Sequence, residues 1–234
     1  MHDRTMSTQA RWFEPLVVFL PALLAVLFAA PLADDDPLRG QLVVWVAYIV
    51  MLSLVYAFLR AQGTGWRHIG LTFGVPTMRR MLVVLAQGVA VFVLAALAFA
   101  LGAIVMGMIF GAPQPANFQG YDYLKGNLPL LLLVLAGVYV VSSFGEEALF
   151  RGYLMTRCME WLGDDRKGRW LAVAVSTLAF ALIHYKWGLA GMVQTGFMGA
   201  VLAVAYLRTG RNLWVNVVAH MILDTLLMVQ LYLA

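Results

Sequence analysis

The chain has 234 residues, of which 62% are hydrophobic and only 12% charged, with a formal net charge of +4 and a mean hydropathy of +0.83. Soluble domains carry about 25% charged residues, so a water-soluble fold is excluded, and 16 Lys+Arg against 12 Asp+Glu is too small and scattered an excess for a nucleic-acid partner. The single cysteine, Cys158, excludes an intramolecular disulfide and a Cys-rich metal site.

A spanning helix needs about 20 mostly apolar residues. In chain order such runs occupy 15–33, 41–59, 81–110, 128–162, 170–185, 188–207 and 212–233. They predict an all-α fold, a polytopic transmembrane helical bundle of about 7–8 spans. The upper figure allows for a break near Gly102 and Gly107 in the 81–110 run. The first run follows Arg4 and Arg11 and imitates a secretory signal, yet its length and the further spans favour an uncleaved helix. No repeat, heptad or separate soluble segment stands out, so residues 1–234 read as one membrane domain.

Loop charges orient it. Arg60, Arg67, Arg79 and Arg80 lie between the second and third runs, and Arg166, Lys167 and Arg169 between the fourth and fifth. Arg208 and Arg211 precede the last run, whereas the 34–40 loop is acidic and the 111–127 loop nearly uncharged. The positive-inside rule puts the basic set on the cytoplasmic side, with the N-terminus inside and the C-terminus outside.

The 128–162 run is the most informative. As continuous helix it would extend roughly 52 Å, well beyond a hydrocarbon core of about 30 Å, so its ends must project or the helix must tilt or kink, with Gly145 the expected kink point. Near its middle stands "SFGEEALFRGYL" (143–154), with two adjacent carboxylates. An ionised carboxylate in hydrocarbon costs at least about 2.5 kcal/mol, and such residues normally face a bundle interior or a wet cavity. Counted from the 163–169 loop at helical rise, Glu146 lies roughly 25 Å up one helix and His184 roughly 22 Å up the next. Along the last span from Arg211, His220 lies roughly 13 Å and Asp224 roughly 20 Å in. Ionisable groups from three helices therefore converge on one layer.

Local spacing adds detail. Glu147 and Arg151 are i,i+4, the favourable orientation for a helical ion pair. Asn212, Asn216, His220 and Asp224 recur every four residues as one polar stripe. Interhelical glue explains Arg151, Asn212 and Asn216 as readily as chemistry does. It does not require Glu146, His184 and His220 together at one depth. Gly188, Gly191, Gly196 and Gly199 on one span suit close helix packing.

"EEALFRG" (146–152), "FALIH" (180–184) and "NLWVNVVAHMILD" (212–224) resemble the three motifs of the CPBP intramembrane proteases: EExxxR, FxxxH and HxxxN or HxxxD. That family includes the prenyl-protein CAAX proteases and bacterial bacteriocin-processing or abortive-infection relatives. The resemblance covers the core at 128–233. Asp224 stands where some relatives carry asparagine, so its role is either hydrogen-bond acceptor or ligand. The resemblance implies an intramembrane endopeptidase with Glu146, Glu147, Arg151, His184, His220 and Asp224 as catalytic residues and a membrane-associated protein or peptide substrate. It also implies an integral protein of the bacterial cytoplasmic (inner) membrane, in contact with the lipid bilayer and not with nucleic acid.

Peptide hydrolysis needs an activated water, a base and oxyanion stabilisation. Glu146 suits the base, His184 the positioning of the water, and Glu147 with Arg151 the orientation of the site. His220 suits the oxyanion, its tautomer set by Asp224. Two cofactor readings stay open. Glu146, His184 and His220 are candidate ligands for Zn2+ or another divalent ion; without an HExxH motif, a metal-free, glutamate-activated water uses the same residues. Two other classes also remain. A proton- or ion-coupled transporter would gather the same residues but should show inverted repeats or paired broken helices, and none is visible. A non-catalytic membrane scaffold would tolerate loss of the carboxylates, and every motif position is filled.

Overall fold

The computed structural model describes residues 13–29, 36–72, 77–111 and 115–234. Arg4, Arg11, Asp34, Asp35 and the end of the 15–33 run lie outside them. The described residues are mostly helical, with short turns between the helices and no strand. The helices are α1 (Glu14–Leu24), α2 (Pro37–Ala61), α3 (Met78–Phe110), α4 (Leu128–Val138), α5 (Met155–Leu162), α6 (Arg166–Leu182), α7 (Gly188–Arg208) and α8 (Leu213–Leu233). A π-helix, Tyr139–Leu154, joins α4 to α5 without a break.

Five of these stretches are long and apolar enough to cross a membrane: Leu38–Ala61, Met78–Phe110, Leu128–Leu162, Tyr185–Arg208 and Leu213–Leu233. The two further runs expected as spans are present as helices too short to qualify by length, the apolar Glu14–Phe28 and α6. The chain is an all-α polytopic helical bundle and an integral membrane protein.

Short polar residues start the helices where the sequence leaves apolar runs. Asp36 accepts from the N–H of Leu38 (2.9 Å), Asn127 from Leu130 (3.3 Å) and Asp165 from Gly168 (2.8 Å). Such a cap satisfies an otherwise orphaned donor, which contributes about 1 kcal/mol. Asn212 does the same for Trp214 (3.2 Å). It therefore caps α8 and does not extend the polar stripe into the bundle. The expected break in 81–110 is also absent, since α3 runs through Gly102 and Gly107. Gly102 instead serves contact: a Cβ there would lie 2.7 Å from Gln194 Cα, so it lets α3 press onto the α7 backbone.

The two ends of the bundle differ. At one end Asp164 receives Arg169 Nε (2.8 Å) and Arg211, and Leu213 N–H bonds Gly70 O (3.1 Å), so the basic connections sit together. A buried network ties α1 into this end. Gln62 donates to Glu14 (2.7 Å), Arg157 donates to Gln62 (2.8 Å) and pairs with Glu14 (3.2 Å), and Glu160 bridges Arg157 and His68. At the other end Asn117 N–H bonds Trp187 O (3.0 Å) and Gly126 N–H bonds Tyr232 O (2.9 Å), which straps the 115–127 connection across the helix ends.

Candidate active site

Gly145, the expected kink point, lies inside a π-helix. The whole polar stretch winds as a π-helix, in which hydrogen bonds span five residues, as from Met155 N–H to Phe150 O. Such geometry usually appears as single-turn bulges and concentrates at functional sites. Each residue then turns the chain through less than the 100° of an α-helix, so Glu146 and Glu147 stay closer in direction. Gly145 through Leu154 are all buried, because neighbouring helices cover this segment on every side.

Glu147 is the hub. Its Oε1 accepts from Arg151 Nη1 (2.7 Å) and from His220 Nδ1 (2.9 Å), and its Oε2 accepts from Asn216 Nδ2 (3.0 Å). Neither Glu147 nor Arg151 has any side-chain exposure. The anticipated i,i+4 pair is therefore formed inside the bundle, where a carboxylate needs several donors to be tolerated. Asn216 donates onward to Leu202 O (2.8 Å) and ties α8 to α7. Arg151 also reaches Gly199 O (3.3 Å), with its guanidinium 4.0 Å from the centre of the Phe180 ring. A Cβ at Gly199 would lie 2.9 Å from that ring, so this glycine makes room for the stack. A Cβ at Gly188, by contrast, would meet nothing within 4 Å, and its φ is +75°; it serves the turn into α7 and not helix packing.

His220 is held differently from the sequence expectation. Arginine only donates, so Glu147 Oε1 is an acceptor and His220 Nδ1 carries the hydrogen toward it. Glu147, not Asp224, sets the tautomer. Asp224 lies 3.8 Å from His220 Nε2, beyond hydrogen-bond reach, and accepts from Ser143 Oγ (2.7 Å). Glu146 Oε2 faces the same Nε2 at 3.8 Å and is buried without a hydrogen-bond partner, while Oε1 accepts from Tyr48 on α2 (3.2 Å). His220 Nε2 therefore looks into a small gap between two carboxylates.

His184 lies just past the end of α6, half-buried. Its Nδ1 donates to Phe180 O (2.8 Å), since a carbonyl can only accept, and Nε2 is left to act. The Phe180 ring touches both histidines, at 4.9 Å from His184 and 6.0 Å from His220. The structure thus gathers Glu146, Glu147, Arg151, His220 and Asp224 directly and brings His184 alongside through Phe180. Ser143 and Tyr48 were missed. The signal for Tyr48 was a phenol in mid-span, whose hydroxyl needs a partner once buried.

Outside the spans, burial pushes the Tyr121 phenol up, reinforced by Tyr123 and by the carboxylates of Asp224 and Glu146.

Among the described residues no three His, Cys, Asp or Glu side chains are placed to hold a metal ion. With Nδ1 of His220 held by Glu147 and Nδ1 of His184 by a carbonyl, each histidine keeps Nε2 as its open ring nitrogen.

Residues 128–226 match the family described as type II CAAX prenyl endopeptidase Rce1-like. The match supports CPBP family membership for this segment. The match spans the π-helix, His184, His220 and Asp224, and it supports a CAAX-type intramembrane endopeptidase, a hydrolase acting on membrane-associated peptides. Neither the comparison with curated proteins nor that with solved structures finds a match.

Proposed function

We propose that this protein cleaves a peptide bond of a membrane-associated CAAX-type substrate with a water activated by Glu146, without a metal, in the bacterial cytoplasmic membrane. The observation that carries this reading is Glu146 Oε2, buried and without a hydrogen-bond partner, opposite His220 Nε2 at 3.8 Å. A buried acceptor left open is costly in a structure that exists only for packing. The same gap suits a water that donates to Glu146, because a water can bridge groups too far apart to bond directly.

In the reaction Glu146 takes one proton from the water as its oxygen attacks the scissile carbonyl carbon. His184, fixed by its bond to Phe180 O, orients that water through Nε2. His220 as imidazolium presents its Nε2–H to the oxyanion, with Nδ1 steadied by Glu147. Glu146 then returns the proton to the leaving amine as the C–N bond breaks. Arg151 and Asn216 keep Glu147 in place, and Asp224, anchored by Ser143, supplies negative charge beside His220.

The test is Glu146→Gln, measured on a fluorogenic farnesylated CAAX peptide in detergent micelles. The amide cannot accept the proton, so cleavage should fall at least about 1,000-fold with unchanged thermal stability. Wild-type rates in the Gln variant would remove Glu146 from the mechanism.

A further inference from the structure

We infer that Tyr48, in the part of the chain outside the family match, is a positioning residue for Glu146, acting on the carboxylate through the hydrogen bond to Oε1. This rests on the reading of Glu146 as base. Tyr48 is buried and lies on α2, separated from Glu146 by 98 positions in sequence. Its hydroxyl donates to Oε1 at 3.2 Å, which leaves Oε2 as the oxygen facing His220. A carboxylate turns readily about its last torsion, a broad and two-fold one. A single donor on one oxygen fixes the plane of the group and aims the other.

The contact is built by the way α2 meets the α4–π stretch. Trp45 lies where a Cβ on Gly137 would be, 2.0 Å from its Cζ2, and Tyr48 Cδ1 lies 3.2 Å from where a Cβ on Gly145 would be. One aromatic ring seats on each glycine, and the second seat brings the phenol to the residue that follows it. Other groups face Glu146 without holding Oε1: His220 and Asp224 from α8, and Glu147 and Arg151 from its own helix. Tyr48 alone among the described hydrogen-bond donors binds that carboxylate. Because α2 is joined to the site by this bond, an element with no family motif contributes to catalytic geometry.

The role makes a prediction that simple packing does not. Tyr48→Phe keeps the ring and loses only the hydroxyl, so kcat on the farnesylated peptide should fall about 10- to 100-fold with KM within about twofold. Fluorotyrosine placed at position 48 keeps the shape and changes donor strength, and kcat should change with the acidity of the phenol. Gly145→Ala crowds the ring and should lower kcat several-fold in the wild type, with no further loss added to Tyr48→Phe. A readout without substrate is the infrared carboxyl band of Glu146, assigned by its disappearance in Glu146→Gln; it should shift in Tyr48→Phe. An unshifted band, or a wild-type kcat in Tyr48→Phe, overturns the inference. So does a loss of kcat that tracks loss of thermal stability and ignores fluorination. If the band shifts but Glu146→Gln still cleaves, the hydrogen bond stands and the assignment of the base is what fails.

Discussion

Replacing Arg151 by methionine tests whether the buried charges are arranged as a network centred on Glu147. Methionine fills much of the volume but removes the donor at 2.7 Å from Glu147 Oε1, the bond to Gly199 O and the stack on Phe180. Breaking a buried ion pair by deleting one partner costs about 3–5 kcal/mol, because the remaining charge is left uncompensated. Here Glu147 keeps His220 Nδ1 at 2.9 Å and Asn216 Nδ2 at 3.0 Å, which argues for the lower end, about 3 kcal/mol. For a chain of this length about 2–4 °C accompanies each kcal/mol, so the melting temperature should drop by about 6–12 °C. Tryptophan fluorescence during heating in detergent micelles measures it. The double variant Arg151→Met/Glu147→Gln should regain a large part of the loss, since the stranded charge goes with its partner. A drop under about 1 °C in the single variant, or a double variant as unstable as the summed singles, would refute the network.

Two further outcomes follow from the same geometry. Chelators should leave cleavage unchanged, and stoichiometric zinc that is lost and restored in step with activity would falsify the metal-free mechanism. At the basic end, hydrogen bonds from Arg169 and then from Arg211 hold the Asp164 carboxyl below its usual range. A depressed value means the clip contributes fully above the ordinary aspartate value of about 3.9 and is lost only as pH falls through the lower folded one. Asp164→Asn should therefore speed proteolysis of the 163–165 and 209–212 connections at neutral pH with little change in melting temperature; equal proteolysis of both proteins would count against the clip.

What sequence alone determined is what depends on local chain geometry and on transfer to lipid. Apolar runs near twenty residues mark helices that keep their backbone hydrogen bonds satisfied in hydrocarbon, and the long Met78–Phe110 and Leu128–Leu162 helices were legible on that ground. Glu147 and Arg151 are neighbours on one turn, so their pairing needed no knowledge of the fold. The motif positions on the fourth, fifth and last runs marked which helices meet.

Tertiary structure decided what depends on partners far apart in sequence. His220 and Asp224 are also i,i+4, yet His220 turns to Glu147, whose oxygens gather donors from two helices, and Asp224 turns to Ser143. Asn212 fits the stripe by period but sits at the helix start, where an orphaned backbone N–H claims its side chain. The π winding of Tyr139–Leu154 leaves no local signature, because its composition suits an α-helix equally well; only in the fold do Gly145–Leu154 become enclosed. Tyr48 joins Glu146 only because α2 seats its rings on Gly137 and Gly145. A hydrophobic pattern states that a residue is inside the bundle, whereas the partner of a buried polar atom is set by which helices come within about 3 Å of it.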